Sequence, residues 1–165
     1  MIEILNYKNK IYPNFQRIGN AAQFAIPYAL HVCKGKGVDV GCNKIEWAFP
    51  EAIIVEPLIN EFDALNFPED ANNLDYIFSS HCLEHLSDWV ATLDYWKTRI
   101  NNDGVIFLYL PDYSQTYWRP WNNRKHINIL SPKIMKDYFE DRNFTKIFTS
   151  EIDLNNSFMV MAQKN

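Results

Sequence analysis

Apolar and polar residues recur along the chain with two different periods, and these periods predict a succession of strands and helices. Short apolar runs typical of buried strands occur at 37–41, 52–56, 74–79 and 105–110, and two alternating runs follow at 144–149 and 157–162. Apolar residues at helical spacing predict helices at 14–32, at 87–100 and from Ser131 onwards. Strands that alternate with helices in this way indicate an α/β sandwich.

The connection between the first two strands is too short for a regular crossover helix. Parallel strands usually require a connection of about a dozen residues or more, and Pro50 further limits the space after Asn43. We therefore expect a short, partly irregular connection. A third short strand is predicted at 62–68. It completes a Rossmann-like, three-layer αβα sandwich with a seven-stranded, mostly parallel sheet and an antiparallel last strand.

Local signals predict where several elements begin and end. Ser87 resembles an N-cap, and Ser131 followed by Pro132 is a favourable helix start. The segment 102–104, Asn-Asp-Gly, predicts a turn before the strand at 105–110. Pro27 predicts a kink or break in the first helix.

Composition narrows the class of protein. The 165 residues fit one domain, which we expect to span 1–165, with an N-terminal arm and helix at 1–34 and a loop at 113–130. The net charge of −4 argues against a general nucleic-acid binder. No apolar run approaches the roughly 20 residues that span a bilayer. The three cysteines form no C-x-x-C pair, which argues against a disulfide framework. We expect a cytoplasmic enzyme or binding domain without membrane contact.

The turn after the first strand is the first candidate for a ligand site, because open α/β sheets bind ligands beyond the carboxyl ends of their strands. Only Gly41 follows that strand, so neither a G-x-G-x-x-G fingerprint nor a phosphate-binding loop is present in the sequence. A phosphate-bearing cofactor is therefore disfavoured. Glu56, at the end of the second strand, could accept hydrogen bonds from both hydroxyls of a ribose. These features describe a pocket for an adenosyl amino acid.

Five segments in order resemble the motif series of class I S-adenosylmethionine-dependent methyltransferases, and of their small, type-11-like domains in particular. They are 38–42 (Val-Asp-Val-Gly-Cys), Glu56, 63–68 (Asp-Ala-Leu-Asn-Phe-Pro), 74–86, which contains Ser-Ser-His-Cys-Leu-Glu-His, and 104–112. The resemblance implies S-adenosylmethionine as the cofactor and methyl transfer as the activity. It also implies cofactor-binding roles for ten residues: Asp39, Gly41, Cys42, Asn43, Glu56, Asp63, Ala64, Leu65, Ser80 and His81.

The same resemblance implies how these residues divide along the cofactor. Asp39 and Gly41 would lie against the methionine part, and Glu56 would hold the ribose. Asp63 would meet the adenine amino group, and His81 would lie near the sulfonium. Further glycines are usual where this chain has Asn43 and Lys44, so a domain that binds the cofactor without catalysis remains an alternative.

Histidines are the candidates for the chemistry, because imidazole titrates near neutral pH. His81, His85 and His126 are the predicted catalytic residues, whereas His31 is predicted to be structural. An alternative for His85 is that it braces the following helix together with Glu84. The loop at 113–130 combines aromatic rings with cations and is predicted to bind the acceptor through Tyr113, Trp118, Arg119, Trp121, Arg124 and Lys125.

The resulting hypothesis is methyl transfer to a small, anionic or sugar-like acceptor, most often at oxygen. His81-x-x-Glu84-His85 with a distant His126 is also similar to the E-x-x-E-H…H pattern of metal-dependent 2′-O-methyltransferases that act on small-RNA ends. Because the H-x-L-E-H pattern also occurs in methyltransferases without a metal, no metal is assigned. The chain has little sequence beyond the cofactor fold, so a homodimer would be one way to complete the acceptor site.

Overall fold

The computed structural model describes residues 3–7, 9–13 and 19–165. Its strands are β1 (Ile4–Tyr7), β2 (Lys10–Pro13), β3 (Gly37–Val40), β4 (Ile53–Val55), β5 (Leu74–Ser80), β6 (Ile100–Pro111), β7 (Phe144–Thr149) and β8 (Ser157–Lys164). Its α-helices are α1 (Ala22–Val32), α2 (Trp89–Arg99) and α3 (Pro132–Asp141). Within these ranges, no helix is long and apolar enough to cross a membrane.

The central sheet has six strands in the order β4-β3-β5-β6-β8-β7, and β1 and β2 form a separate antiparallel pair. Strands β4, β3, β5 and β6 are parallel neighbours. Strand β8, the last in the chain, runs antiparallel to both β6 and β7. Because the parallel strands end at the same edge of the sheet, their following turns meet there.

The sheet is covered on both faces, so the core has two parts. Alternate residues of β5 and β6, such as Phe78 and Phe107, pack with the small residues Ala25 and Ala29 of α1. The residues that alternate with them along the strands, such as Ile77 and Ile106, pack on the other face of the sheet with apolar residues of α2 and α3. These include Leu93, Trp96, Met135 and Phe139. This alternation follows from the two-residue period of a strand. The predicted three-layer αβα sandwich with an antiparallel last strand is confirmed.

The predicted count of seven strands is wrong by one, because 62–68 does not form a strand. Asp63 and Asn66 exchange backbone hydrogen bonds of 3.2 and 3.0 Å with each other, and their pairing is an isolated bridge. The Asp63 carboxylate also accepts from the Leu65 N–H at 2.8 Å. Because these backbone N–H and C=O groups pair within the segment, they cannot pair with a neighbouring strand.

Helix boundaries differ from the predictions in detail. The N-cap of α2 is Asp88, whose Oδ1 accepts from the Ala91 N–H at 2.8 Å, and not Ser87. The Ser131 cap of α3 is confirmed, since its hydroxyl accepts from Ile134 N–H at 3.3 Å. The first helix is described from Ala22, and residues 14–18 of its predicted span lie outside the described residues. Pro27 lies inside this helix.

Of two predicted connections between elements, the first is confirmed and the second is wrong. Between β3 and β4 the described chain has only a three-residue 3-10 helix, at Ile45–Trp47, as the short connection predicted. The predicted turn at 102–104 is instead part of β6. The register of β5 and β6 shifts between the pairs Leu74↔Ile100 and Tyr76↔Val105. Residues 101–104 lie at this shift.

Candidate functional site

A cavity of about 590 Å³ opens at the carboxyl ends of the parallel strands. One wall comes from the turns that follow β3, β4 and β5 and includes Gly41, Glu56 and His81. The opposite wall comes from the loop after β6, at 117–118, 122–123 and 125–126. The volume is typical of a small-molecule site, and its position is the usual one for an α/β sheet.

The turn after β3 depends on backbone conformations with positive φ. Gly41 has a φ of +87° and donates its N–H to Val55 O at 3.0 Å, which ties the ends of β3 and β4 together. A Cβ on Gly41 would also lie only 2.8 Å from the Sγ of Cys82. Asn43 has a φ of +63°. Asparagine tolerates this region better than most residues, so Asn43 takes a conformation for which glycine is usual.

Glu56 is buried at the end of β4, yet its carboxylate reaches the cavity. Its Oε2 accepts from the Asn43 N–H at 2.9 Å and its Oε1 from the Leu58 N–H at 3.0 Å. An ionised carboxylate has about four lone-pair sites. Two of them therefore remain for donors in the cavity, such as the two hydroxyls of a ribose. The residues present fit an adenosyl cofactor at this point.

Two of the predicted cofactor residues line neither this cavity nor the smaller cavity beside it. Asp39 is 1% exposed, and its Oδ2 accepts from the Phe49 N–H at 2.6 Å. Burial raises the pKa of Asp39 to about 7, an effect that the Phe49 hydrogen bond opposes. Cys42 is also buried and does not line the cavity. Asp39 thus braces the connection to β4 from beneath the turn.

Asp63, Ala64 and Leu65 line a second, smaller cavity of about 240 Å³. Leu86 lines both cavities, so the two adjoin. The residues that the family resemblance assigns to adenine are therefore grouped together, next to the larger cavity rather than within it.

The turn after β5 carries His81, at a φ of +51°. Its N–H donates to Tyr109 O at 2.8 Å, and its Nε2 lies 3.0 Å from the Ser157 hydroxyl. That hydroxyl donates to Asn155 O at 3.2 Å. Because that hydroxyl is bonded to Asn155 O, we assign the imidazole proton of His81 to Nε2 and a lone pair to its Nδ1.

His85 is fixed by a similar contact with the opposite wall. Its Nδ1 lies 2.7 Å from Lys125 O. A carbonyl oxygen only accepts, so Nδ1 carries the proton and Nε2 carries the lone pair. This Nε2 lies 3.5 Å from Oε1 of Glu84, and the His81 Nδ1 lies 3.7 Å from the same oxygen. Two imidazole lone pairs therefore face one carboxyl group.

Glu84 is 1% exposed and lies beneath the residues that line the cavity. Neither of its carboxyl oxygens accepts a hydrogen bond from any residue that the structure describes. Burial raises the pKa of Glu84 to about 8. Buried carboxyl groups are normally hydrogen-bonded, so this one requires an explanation.

His126 comes from the opposite wall and completes a group of three histidines. Its ring stacks on Trp118, with centroids 4.9 Å apart and planes 3° from parallel, and its centroid is 4.7 Å from that of His85. Burial, with a smaller effect of His85, lowers the pKa of His126 to about 3. Burial, followed by His126 and His85, lowers the pKa of His81 to about 3. Both imidazoles are neutral at physiological pH.

Backbone hydrogen bonds hold His126 beside Glu84. Ile127 N–H and Asn128 N–H both donate to Glu84 O, at 2.8 and 3.1 Å. The Asn128 side-chain amide donates to Leu83 O and Leu86 O, each at 2.7 Å. The segments 83–86 and 126–128 therefore form one unit, although about 40 residues separate them in the chain.

The predicted acceptor residues divide into two groups. Trp118 and Lys125 line the cavity, and Tyr113, Arg119, Trp121 and Arg124 do not. Arg119 donates to Ser114 O at 3.2 Å, and its guanidinium carbon lies 5.6 Å from the ring centroids of both Tyr113 and Trp121. Its contacts therefore stabilise the loop itself.

Several cavity residues carry no signal in the sequence that marks them as functional. They are Gly19, Ala21, Cys82, Leu86, Asn122 and Asn123. Small and amide side chains are common in surface loops, so composition could not single these out.

Comparison with known proteins identifies the family. A family model described as a methyltransferase domain matches residues 18–148. No curated protein sequence matches the chain significantly. A SAM-dependent methyltransferase from Thermotoga maritima is similar in structure, with a TM-score of 0.67 and 17% identity over 92% of this chain and 95% of that chain.

Two further solved structures contain the demethylated cofactor product. The plantazolicin methyltransferase in complex with SAH has a TM-score of 0.60 and 11% identity, over 92% of this chain and 85% of that one. A Haemonchus contortus phosphoethanolamine N-methyltransferase, in complex with phosphomonomethylethanolamine and S-adenosylhomocysteine, has a TM-score of 0.63 and 10% identity over 92% of this chain and 58% of that one. At such identities these likenesses concern the fold.

The matched family model covers residues 18–148, which is most of the chain, and the solved methyltransferases share its fold. The chain therefore belongs to the class I S-adenosylmethionine-dependent methyltransferases.

Proposed function

We propose that this protein methylates a hydroxyl group of a small, anionic, sugar-like acceptor. The observation that carries the proposal is the continuity of the main cavity. It connects Glu56, which suits the ribose of the cofactor, with a wall formed by His85, Trp118, Lys125 and His126. Cofactor and acceptor can therefore occupy one space of about 590 Å³.

The composition of the acceptor wall supports this class of acceptor. Lys125 is the one lysine or arginine among the described residues that line the cavity, and it favours an anionic group. The side chains of Asn122 and Asn123 supply amide donors and acceptors of the kind that bind hydroxyls.

S-adenosylmethionine supplies an electrophilic methyl group on a sulfonium. The protein must orient the acceptor oxygen and accept its proton. We assign the second task to His85, because its Nδ1 is fixed on Lys125 O and its Nε2 carries a lone pair. His81 is less accessible, with 14% of its side chain exposed against 38% for His85, which makes it a positioning residue.

The first test is binding. Titration calorimetry should detect S-adenosylmethionine and S-adenosylhomocysteine but not NAD. The second test is turnover of hydroxylated acceptors, such as sugars and sugar phosphates, followed by mass spectrometry of S-adenosylhomocysteine. Matched amino sugars are the control. Turnover of the amines alone would overturn the assignment to oxygen, and cofactor binding without turnover of any acceptor would favour a non-catalytic binding domain.

A further inference from the structure

The described part of the chain contains one buried group that the proposed methyl transfer does not require, namely the Glu84 carboxyl. Its two oxygens accept no hydrogen bond from any described residue. The His85 and His81 nitrogens that face this carboxyl group lie 3.5 and 3.7 Å from its Oε1. These distances exceed those of normal N–H···O hydrogen bonds. Three groups that can each donate an electron pair thus converge here without a normal hydrogen bond between them.

Other contacts hold the two imidazole rings in this orientation towards Glu84. The tautomers of His81 and His85 are each fixed from behind, by Ser157 Oγ at 3.0 Å and Lys125 O at 2.7 Å. Each of these contacts turns a lone pair towards Glu84. A hydrogen bond that fixes the outward nitrogen of an imidazole and leaves its inner nitrogen free is the usual support of a metal-binding histidine.

His126 adds a third donor from the opposite wall. One ligand atom each from Glu84, His85 and His126 lie within 4.8 Å of one another. Ligand atoms around a tetrahedral zinc ion lie about 3.4 Å apart, given bonds of about 2.0–2.1 Å. These separations would have to shorten by up to about 1.4 Å to close the group around an ion. The backbone bonds from Ile127 and Asn128 to Glu84 O keep the two segments in register for this movement.

We propose that Glu84, His85 and His126 bind one divalent transition-metal ion at the floor of the main cavity. Imidazole and carboxylate ligands suit zinc and its neighbours better than magnesium or calcium. Two histidines and a glutamate are also a ligand set of catalytic zinc, in which a fourth position stays open. His85 and His126 line the cavity and Glu84 lies beneath it, so the open position faces the cavity.

The placement of the ion at the acceptor end rests on the proposed function, but the metal site itself does not. With an ion bound, the His85 lone pair is occupied. His85 then holds the ion rather than taking a proton, and the open position can receive water or an acceptor oxygen. The two roles of His85 exclude each other, and a metal titration separates them.

The test is a zinc titration of the full-length protein after chelator treatment, without S-adenosylmethionine. Calorimetry should find one equivalent bound per chain. Glu84→Gln and His126→Gln should each lower the affinity by at least about 100-fold, more than the loss of an outer-shell partner costs. The control is His31→Gln, at an exposed histidine of α1, which should bind zinc as the wild type does.

Cobalt absorption tests the same site without any variant. Cobalt(II) bound to the wild type should show the intense visible bands of a four- or five-coordinate ion with nitrogen ligands. A spectrum like that of the hydrated ion would contradict the site. So would the absence of zinc binding, or equal zinc affinity of wild type and Glu84→Gln, which would mean that a protonated Glu84 only shares its proton with His85.

Calorimetry with S-adenosylmethionine on the same samples distinguishes the two proposals. It also shows whether Glu84→Gln and His126→Gln retain the fold. Cofactor binding without zinc binding would overturn the metal site alone. Zinc binding without cofactor binding would overturn the proposed methyl transfer and leave the metal site intact.

Discussion

The turns after β3 and β5 lie side by side, but the buried carboxyl groups next to them differ in their hydrogen bonding. Asp39, in β3, and Glu56, directly after β4, flank the first turn and accept backbone N–H groups of Phe49, Asn43 and Leu58. Glu84, at the second turn, faces nitrogens of His81 and His85, and its carboxyl oxygens have no hydrogen-bond partner within the described residues. A carboxylate whose hydrogen bonds are satisfied keeps a fixed position, whereas a buried carboxyl group without partners must keep its proton or bind a group from outside the protein.

Of the substitutions that distinguish the two turns, loss of the His85 imidazole, at the second turn, should have the largest effect, and this effect should be on turnover. His85→Gln should lower the turnover of a hydroxylated acceptor by about 10²–10⁴-fold and leave the affinity for S-adenosylmethionine unchanged. Burial lowers the pKa of His85 below 6.5. Turnover of the wild type should therefore be constant near neutral pH and fall only on the acid side of 6.5. A loss of cofactor affinity as large as the loss of turnover would contradict the separation of the two turns.

The unsatisfied carboxyl group of Glu84 should make stability depend on pH. Its pKa is raised from 4.5 to about 8, so between these values the folded protein keeps a proton that the unfolded chain releases. Wild-type stability should then decrease as pH rises through this window. The free energy of unfolding of Glu84→Gln relative to wild type should grow by about 2–3 kcal/mol between about pH 5 and pH 7.

Urea denaturation at both pH values, with a chelator present, measures this change. Glu56→Gln is the control, because its carboxylate is already hydrogen-bonded to backbone N–H groups. A difference between Glu84→Gln and wild type that stays constant with pH would mean that Glu84 is ionised or exposed.

At the first turn, loss of the Glu56 carboxylate should lower the affinity for the cofactor. Glu56→Ala should weaken S-adenosylmethionine by about 1–3 kcal/mol, the value of hydrogen bonds to a charged group. Calorimetry measures the affinity, and Glu56→Gln, which keeps one acceptor oxygen, should lose less. If both variants bind as the wild type does, the ribose lies elsewhere.

The smallest effect concerns the contact between the two turns. Gly41 and Gly19 both have positive φ, near +90°, but a Cβ would meet Cys82 at 2.8 Å from Gly41 and only Trp47, at 3.8 Å, and Asn43, at 3.9 Å, from Gly19. Gly41→Ala should therefore destabilise the protein by at least about 1 kcal/mol more than Gly19→Ala, as overpacking does. Thermal or urea unfolding compares the two. Equal losses would mean that the turns do not press against each other.

Much of the fold follows from sequence, and the exceptions have physical causes. Buried strands such as β3 and β6 are apolar runs that turn residues interrupt, so their pattern is sufficient. The segment 62–68 has a similar pattern, but Asp63 and Asn66 pair with each other. Ser87 and Asp88 are both good N-cap residues, and only the structure shows that Asp88 receives the Ala91 N–H.

For the site, sequence indicates residue types better than it indicates contacts. His81, Glu84 and His85 are close in the chain, so their grouping could be expected. His126 reaches them through backbone N–H groups of Ile127 and Asn128, which no side-chain pattern encodes. The same limit explains Arg119. Its charge predicted an acceptor contact, but its side chain donates to backbone carbonyls of its own loop and does not line the cavity.

The hydrogen bonds between 83–86 and 126–128 have a consequence for how this enzyme could diversify. They connect the end of the loop after β6 to the segment that carries Glu84 and His85. Residues 113–125 form the part of this loop between β6 and that connection. Substitutions at Asn122 and Asn123 can change what the cavity admits while the Trp118 stack on His126 and the contact of His85 with Lys125 O stay in place. We therefore expect a laboratory library confined to 119–124 to alter acceptor selectivity without displacing His85 or His126.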